Sequence, residues 1–267
     1  MEGVRGRNAT WGSNPHLSEM RGLGAVAPSG AGENGWFGGR HPRFRVEGVS
    51  PSKIKLVMEK PFEEIIKNFT SSGDARLDAI LKFTVEADQM TGILRRTILT
   101  DGSRRENDAE HSWHIALMAM LFKDYAEQTP NVERAVKMCV VHDLIEIYAG
   151  DTFAFDKTGN VTKEEREHAA ADKLYSHLPG DLAKELRGLW EEFDAMQSAD
   201  SRYANCMDRI QPFLHNTLTD GHTWDLGKVS VADCEKRMSP VKEFMPRIWP
   251  WIQKCIEQAV RQGWLQK

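Results

Sequence analysis

His142 and Asp143 stand side by side in the segment VVHDLIEIYAGD, whose other residues are mostly apolar or small. Glu146 follows one turn later, and Asp151 comes directly after Gly150. At helical spacing Glu146 is i+4 from the histidine and i+3 from the aspartate, so the three share one side. Ionisable groups on so apolar a helix need a partner or a metal, because burying an uncompensated charge is costly. Two other stretches offer partners. His111 and His114 are spaced i, i+3 in NDAEHSWH, and Asp208 lies between Met207 and the apolar residues Ile210 and Phe213. Imidazole nitrogen combined with carboxylate oxygen suits one divalent transition metal: Mn, Fe, Co, Ni or Zn, with Mg also admissible and Ca less suited.

The elements that must position these groups read as helices. Leu77, Ile80, Leu81 and Val85 recur on one face of Asp74–Met90. Asn107 with Glu110 three residues later is a capping-box start for the helix that carries His111. The stretch from Ala135 to Tyr148 is apolar nearly all round, as expected of a helix in the middle of a bundle, and Gly150 is placed to cap it. Thr162 with Glu165 opens a polar-faced helix, and further helices are predicted near 181–197, 201–219 and 240–262. Strand signals are nearly absent, and GKVSVAD is the one stretch with extended character. The expectation is an all-α helical bundle with a metal site between its central helices.

Residues 1–60 are predicted to form a disordered or loosely packed extension, and residues 61–267 the folded domain. The first 48 residues hold 11 of the 21 glycines and show no period of 2 or 3.6. Arginine outnumbers acid there, as in mitochondrial transit peptides, but no amphipathic helix is visible, so the expected location is the cytoplasm. The four cysteines form no C-x-x-C pair and are expected to be free thiols. A net charge of −4 argues against a nucleic-acid surface, and no apolar run is long enough to span a membrane. The C-terminal stretch FMPRIWPWIQKCIEQAV has more Trp and Ile than one helix face needs and is a candidate homodimer interface.

The joint pattern is ENDAEHSWH (Glu106–His114), then HDLIEIYAGD (His142–Asp151), then MDRIQPFLHN (Met207–Asn216). It resembles the HD-domain metal-dependent phosphohydrolase superfamily, most closely the 5′-deoxynucleotidase branch. The resemblance covers about residues 70–265. It implies that His111, His142, Asp143 and Asp208 are the metal ligands. It implies further that Glu146 is a catalytic acid or base and that Asp151 sits beside the reacting phosphate. Where that branch has an Arg-Trp pair contacting substrate, this chain reads ILRRTIL, so Arg95 or Arg96 is the candidate phosphate contact. Thr97 stands where the tryptophan is expected, which leaves sugar selectivity open. His114 matches no ligand and is read as structural.

The activity implied is a metal-dependent phosphomonoesterase that hydrolyses (deoxy)nucleoside 5′-monophosphates. Glu146 would orient or deprotonate the attacking water, and Asp151 would protonate the leaving oxygen if its pKa is raised. The alternatives within the superfamily are a phosphodiesterase, a nucleoside triphosphohydrolase or an alarmone hydrolase. Those need extra basic residues for a second phosphate, which the sequence does not reveal. A di-iron oxygenase would need more histidines, and only His168 and His177 lie between the second and fourth ligands, on a polar helix. A non-catalytic, metal-stabilised module would not need Glu146 and Asp151.

Overall fold

The computed structural model describes residues 67, 70–156 and 162–266. The extension expected at residues 1–60 lies outside them. Helix α1 (Ala75–Ala87) is capped by the Asp74 side chain and leads through a 3-10 turn into a short hairpin, β1 (Leu94–Ile98) and β2 (Arg105–Asn107). Helices α2 (Asp108–Leu121), α3 (Val132–Val141) and α4 (Glu146–Ala149) follow, then α5 (Lys163–Tyr175), α6 (Gly180–Ala195) and α7 (Ala199–Leu218). The chain closes with α8 (His222–Leu226), α9 (Val231–Phe244) and α10 (Trp249–Gln262). The fold is helical, as the sequence predicts.

Helices α2, α3 and α7 pack against one another and form the centre of the bundle. Ile115, Ala119, Ala135, Met138, Cys139, Ala204 and Met207 fill the space between them and are fully buried. The start of α2 is fixed by the predicted capping box: the Asn107 side chain accepts from the Glu110 N–H, and Glu110 accepts from the Asn107 N–H. Such a cap is worth about 1 kcal/mol, and it sets the register that turns His111 inward. Ser198 and Ser201 do the same for α7. That helix continues through Pro212, although Pro212 has no N–H for the Asp208 carbonyl.

Two elements near the site differ from the sequence reading, and away from it the helix expected near 240–262 is parted by a 3-10 turn at Pro246–Ile248 into the end of α9 and α10. The hairpin was not predicted, because three arginines in its short strands hide any apolar alternation. Its strands run antiparallel, with Leu94 opposite Asn107 and Ile98 opposite Arg105. In GKVSVAD, by contrast, only Ser230 makes a bridge, to Gln266, and helix α9 begins at Val231. The second difference is the helix expected to run unbroken from Ala135 to Tyr148. It stops at Val141 and restarts at Glu146. Through this gap the backbone tightens from i−4 to i−3 bonds: Leu144 donates to Val141, Glu146 to Asp143 and Tyr148 to Ile145. His142 and Asp143 therefore sit in the break.

The C-terminal helix buries Ile252, Ile256 and Ala259. The larger exposed apolar row is on α2, where Trp113, Leu117, Met120 and Leu121 face outward. Among the described residues no helix is long and apolar enough to cross a membrane.

Candidate metal centre

Three helical elements bring the predicted ligands together. His111 comes from α2, His142 and Asp143 from the break after α3, and Asp208 from α7. Donor atoms of His111, His142 and Asp208 lie within 4.8 Å of one another. His111 Nε2 is 3.2 Å from Asp208 Oδ1 and 3.9 Å from Asp143 Oδ2. His142 Nε2 is 3.0 Å from Asp143 Oδ2 and 3.8 Å from Asp208 Oδ1. All four residues are buried.

The donor chemistry fits a divalent cation. His142 Nδ1 lies 2.9 Å from the Cys139 carbonyl, an acceptor only, so this nitrogen carries the hydrogen. Its Nε2 is buried, 3.0 Å from Asp143 Oδ2 but without a well-aligned hydrogen bond, and although burial opposes it the Asp143 charge raises the His142 pKa. A buried imidazole nitrogen facing two carboxylates is a place that draws positive charge, and a divalent cation supplies it when bound. Burial opposes charge on both Asp143 and Asp208, yet their pKa values are lowered. His142 and Arg95 outweigh burial at Asp143, and the His111 contact and Arg237 do so at Asp208.

The acids next to this quartet behave in the opposite way. Asp108, Asp143 and Glu146 form a second group of close carboxylates. Burial, together with the charges of Asp143 and Asp108, raises the Glu146 pKa well above the ordinary value, and Glu146 Oε2 has no hydrogen-bond partner. Burial and Asp143 raise Asp108 to about 6. Asp151 is also raised, by burial, with Arg95 opposing. Arg95 partly neutralises this group: its Nη1 donates to Asp143 Oδ2 at 2.7 Å and to Asp108 Oδ1 at 3.2 Å. Arg96 instead lies over the Phe153 ring, 4.8 Å from the centroid, and has no ion-pair partner among the described residues.

A cavity of about 470 Å³ opens over the centre. Arg95, Arg96, His142, Glu146, Asp151 and Asp208 are on its wall. Arg209 and Arg237 also line it, two basic residues that sequence reasoning did not find. Arg237 donates to Asp208 Oδ2 at 2.9 Å, and Arg209 is held by Asn205. Arg209 stands beside Asp208 in the motif MDRIQPFLHN, whereas only the fold brings Arg237 there. His168 and His177 pack elsewhere, against Trp190 and Glu86. His114 belongs to a third group, with Glu106 and His215, gathered around Gln211.

Comparison with known proteins identifies the family. The family model described as HD domain matches residues 87–249, more than half of the chain. The human 5′-deoxynucleotidase HDDC2 is 34% identical over 111 residues, which is 42% of this chain and 53% of that protein. The Danio rerio protein of the same name is 28% identical over 143 residues, covering 52% of this chain and 68% of that one. The chain thus spans about half the length of the human relative it matches. A crystal structure from Magnetospirillum magnetotacticum MS-1, described as a predicted metal-dependent phosphohydrolase, superposes with a TM-score of 0.69. Its sequence is 44% identical, and the match covers 73% of this chain and 98% of that one.

Proposed function

This chain belongs to the HD domain family, and from that premise we propose that it is a metal-dependent phosphomonoesterase acting on (deoxy)nucleoside 5′-monophosphates. The observation that carries the reading is the unpaired His142 Nε2, buried beside Asp143 and Asp208 at the cavity wall. The named activity of the human and fish relatives supplies the substrate class.

His111, His142, Asp143 and Asp208 would hold the cation. When bound, a divalent cation supplies Lewis acidity toward water and toward a phosphate oxygen. Glu146 takes the proton of the attacking water. Burial and the charges of Asp143 and Asp108 raise its pKa in the metal-free chain, and a cation bound at Asp143 would offset that charge and leave Glu146 a carboxylate able to accept the proton on Oε2. Asp151, whose pKa is raised by burial, holds a proton for the leaving ribose oxygen. Arg96 neutralises phosphate charge, since among the described residues no carboxylate occupies its guanidinium. Arg95 is bound to Asp108 and Asp143 and orders the acids.

Arg209 and Arg237 favour a second reading, a substrate with more than one phosphate. A nucleotide panel with added Mn²⁺ or Co²⁺ tests both. Phosphate release from deoxynucleoside monophosphates, with triphosphates left intact, supports the first reading; the reverse preference supports the second. The free cysteines fit a cytoplasmic protein. The exposed row on α2 is a better homodimer surface than the C-terminal helix.

A further inference from the structure

Glu106, His114, Gln211 and His215 have no place in the chemistry above, yet three of them are almost completely buried. Glu106 is 1% exposed, Gln211 0% and His215 2%. We propose that Gln211 is a positioning residue that fixes the His111 imidazole in the tautomer presenting a bare Nε2 to the metal centre. It does so through a chain of hydrogen bonds anchored on the Ile98 carbonyl. The inference rests on His111 being a ligand.

The direction of the chain follows from the groups at its ends. The Ile98 carbonyl only accepts, so His215 Nδ1, 3.0 Å away, carries a hydrogen and donates. Burial lowers the His215 pKa, so the ring is neutral and its Nε2 is a lone pair. Gln211 Nε2, 3.0 Å from that lone pair, must donate to it. The second amide hydrogen goes to Glu106 Oε1 at 2.5 Å. Both hydrogens are then used, and His114 Nδ1, at 3.3 Å, receives neither.

With its nitrogen committed, the amide turns its oxygen to the other side. Gln211 Oε1 lies 3.0 Å from His111 Nδ1. An amide oxygen only accepts, so Nδ1 must carry the hydrogen. With Nδ1–H held by that oxygen, Nε2 is the one ring nitrogen left for a cation, and in the metal-free chain it lies 3.2 Å from Asp208 Oδ1. The flipped amide fails. It would set the Gln211 oxygen against the Glu106 carboxylate and the His215 lone pair, three acceptors with no hydrogen between them. Asp208, Gln211 and His215 are spaced i, i+3 and i+7 on α7, so one helix face carries both a ligand and the support of another ligand.

The test uses the full chain, ¹⁵N-labelled and metal-free. Long-range ¹H–¹⁵N spectra report the imidazole tautomers, with His111→Ala identifying the His111 signal. The wild-type protein is expected to show His111 with hydrogen on Nδ1. Gln211→Leu is expected to lose that preference and to weaken Zn²⁺ binding about 10–100-fold, measured against a chromophoric chelator. His215→Leu, one link further away, is expected to move the tautomer in the same direction by less, and it serves if Gln211→Leu does not fold. An unchanged His111 tautomer with unchanged Zn²⁺ affinity in either Leu variant would overturn the relay. Absence of Zn²⁺ binding by the wild-type protein would instead remove the ligand assignment, and the spectra of the metal-free chains would still decide the relay.

Discussion

The His111 and His142 rings face each other with centroids 5.4 Å apart, but they are held in place by different means. His142 is oriented locally. Its Nδ1 donates to the Cys139 carbonyl three residues earlier, and the broken helix sets its direction. His111 is oriented from far along the chain, through Gln211 and His215 to a carbonyl of the hairpin. The local support costs a turn of regular helix and leaves Asp143 and Glu146 free to face the cavity. The distant support ties the hairpin, α2 and α7 into one rigid wall. One side of the centre is thus shaped for reaction and the other for position.

The largest expected effect tests whether both sides serve one metal. His142→Ala and His111→Ala should each abolish metal binding by elemental analysis and reduce phosphate release to background. Each should also lose the stabilisation that bound metal gives, about 2.7 kcal/mol when the metal is at 100 times its Kd, read as a lower Tm. A His111→Ala protein that keeps its metal would separate the two histidines and break the comparison.

A smaller effect probes the reactive side alone. Glu146→Gln should retain the metal and lose about 10²–10⁴-fold in kcat, with little change in nucleotide affinity. Loss of metal in this variant would make Glu146 a ligand.

The smallest effect belongs to the positioning side. Burial raises the Glu106 pKa to about 7, with Arg95 and the Gln211 contact opposing. The folded protein therefore holds this proton more tightly than the unfolded chain, in which the group has its ordinary value of 4.5. The resulting stability is fully present below pH 4.5 and is lost as the pH rises through about 7. In denaturant unfolding of the metal-free protein Glu106 should contribute at most about 1.4 kcal/mol per pH unit in that window, on top of the same-signed contributions of Asp108, Glu146 and Asp151. Glu106→Gln should lower the slope by that amount, and a slope equal to that of the wild-type protein would contradict the role given to Glu106.

The same contrast explains what could be read in the sequence. The Asn107–Glu110 cap, the His-Asp pair and the i+3 acid are short-range patterns, and the ligands they suggest do converge. The break at His142 was hidden because its apolar flanks suit a continuous helix equally well. Gln211 and His215 were hidden because an amide and an imidazole on a helix acquire meaning only through partners about 100 residues away. Arg95 shows the same limit. Its type suggested a phosphate contact, while only the fold brings it against Asp108 and Asp143.

The central claim is that the site between α2, the α3 break and α7 hydrolyses nucleoside monophosphates through a divalent metal. The direct measurement is phosphate release from deoxynucleoside 5′-monophosphates by the full chain, before chelation, after chelation and after reloading with Mn²⁺ or Co²⁺. Activity should fall to background on chelation and return on reloading, and the reloaded Glu146→Gln protein should remain at least about 100-fold slower. Hydrolysis that survives complete removal of metal, or a fully loaded wild-type protein that releases no phosphate from any of these nucleotides, would contradict it.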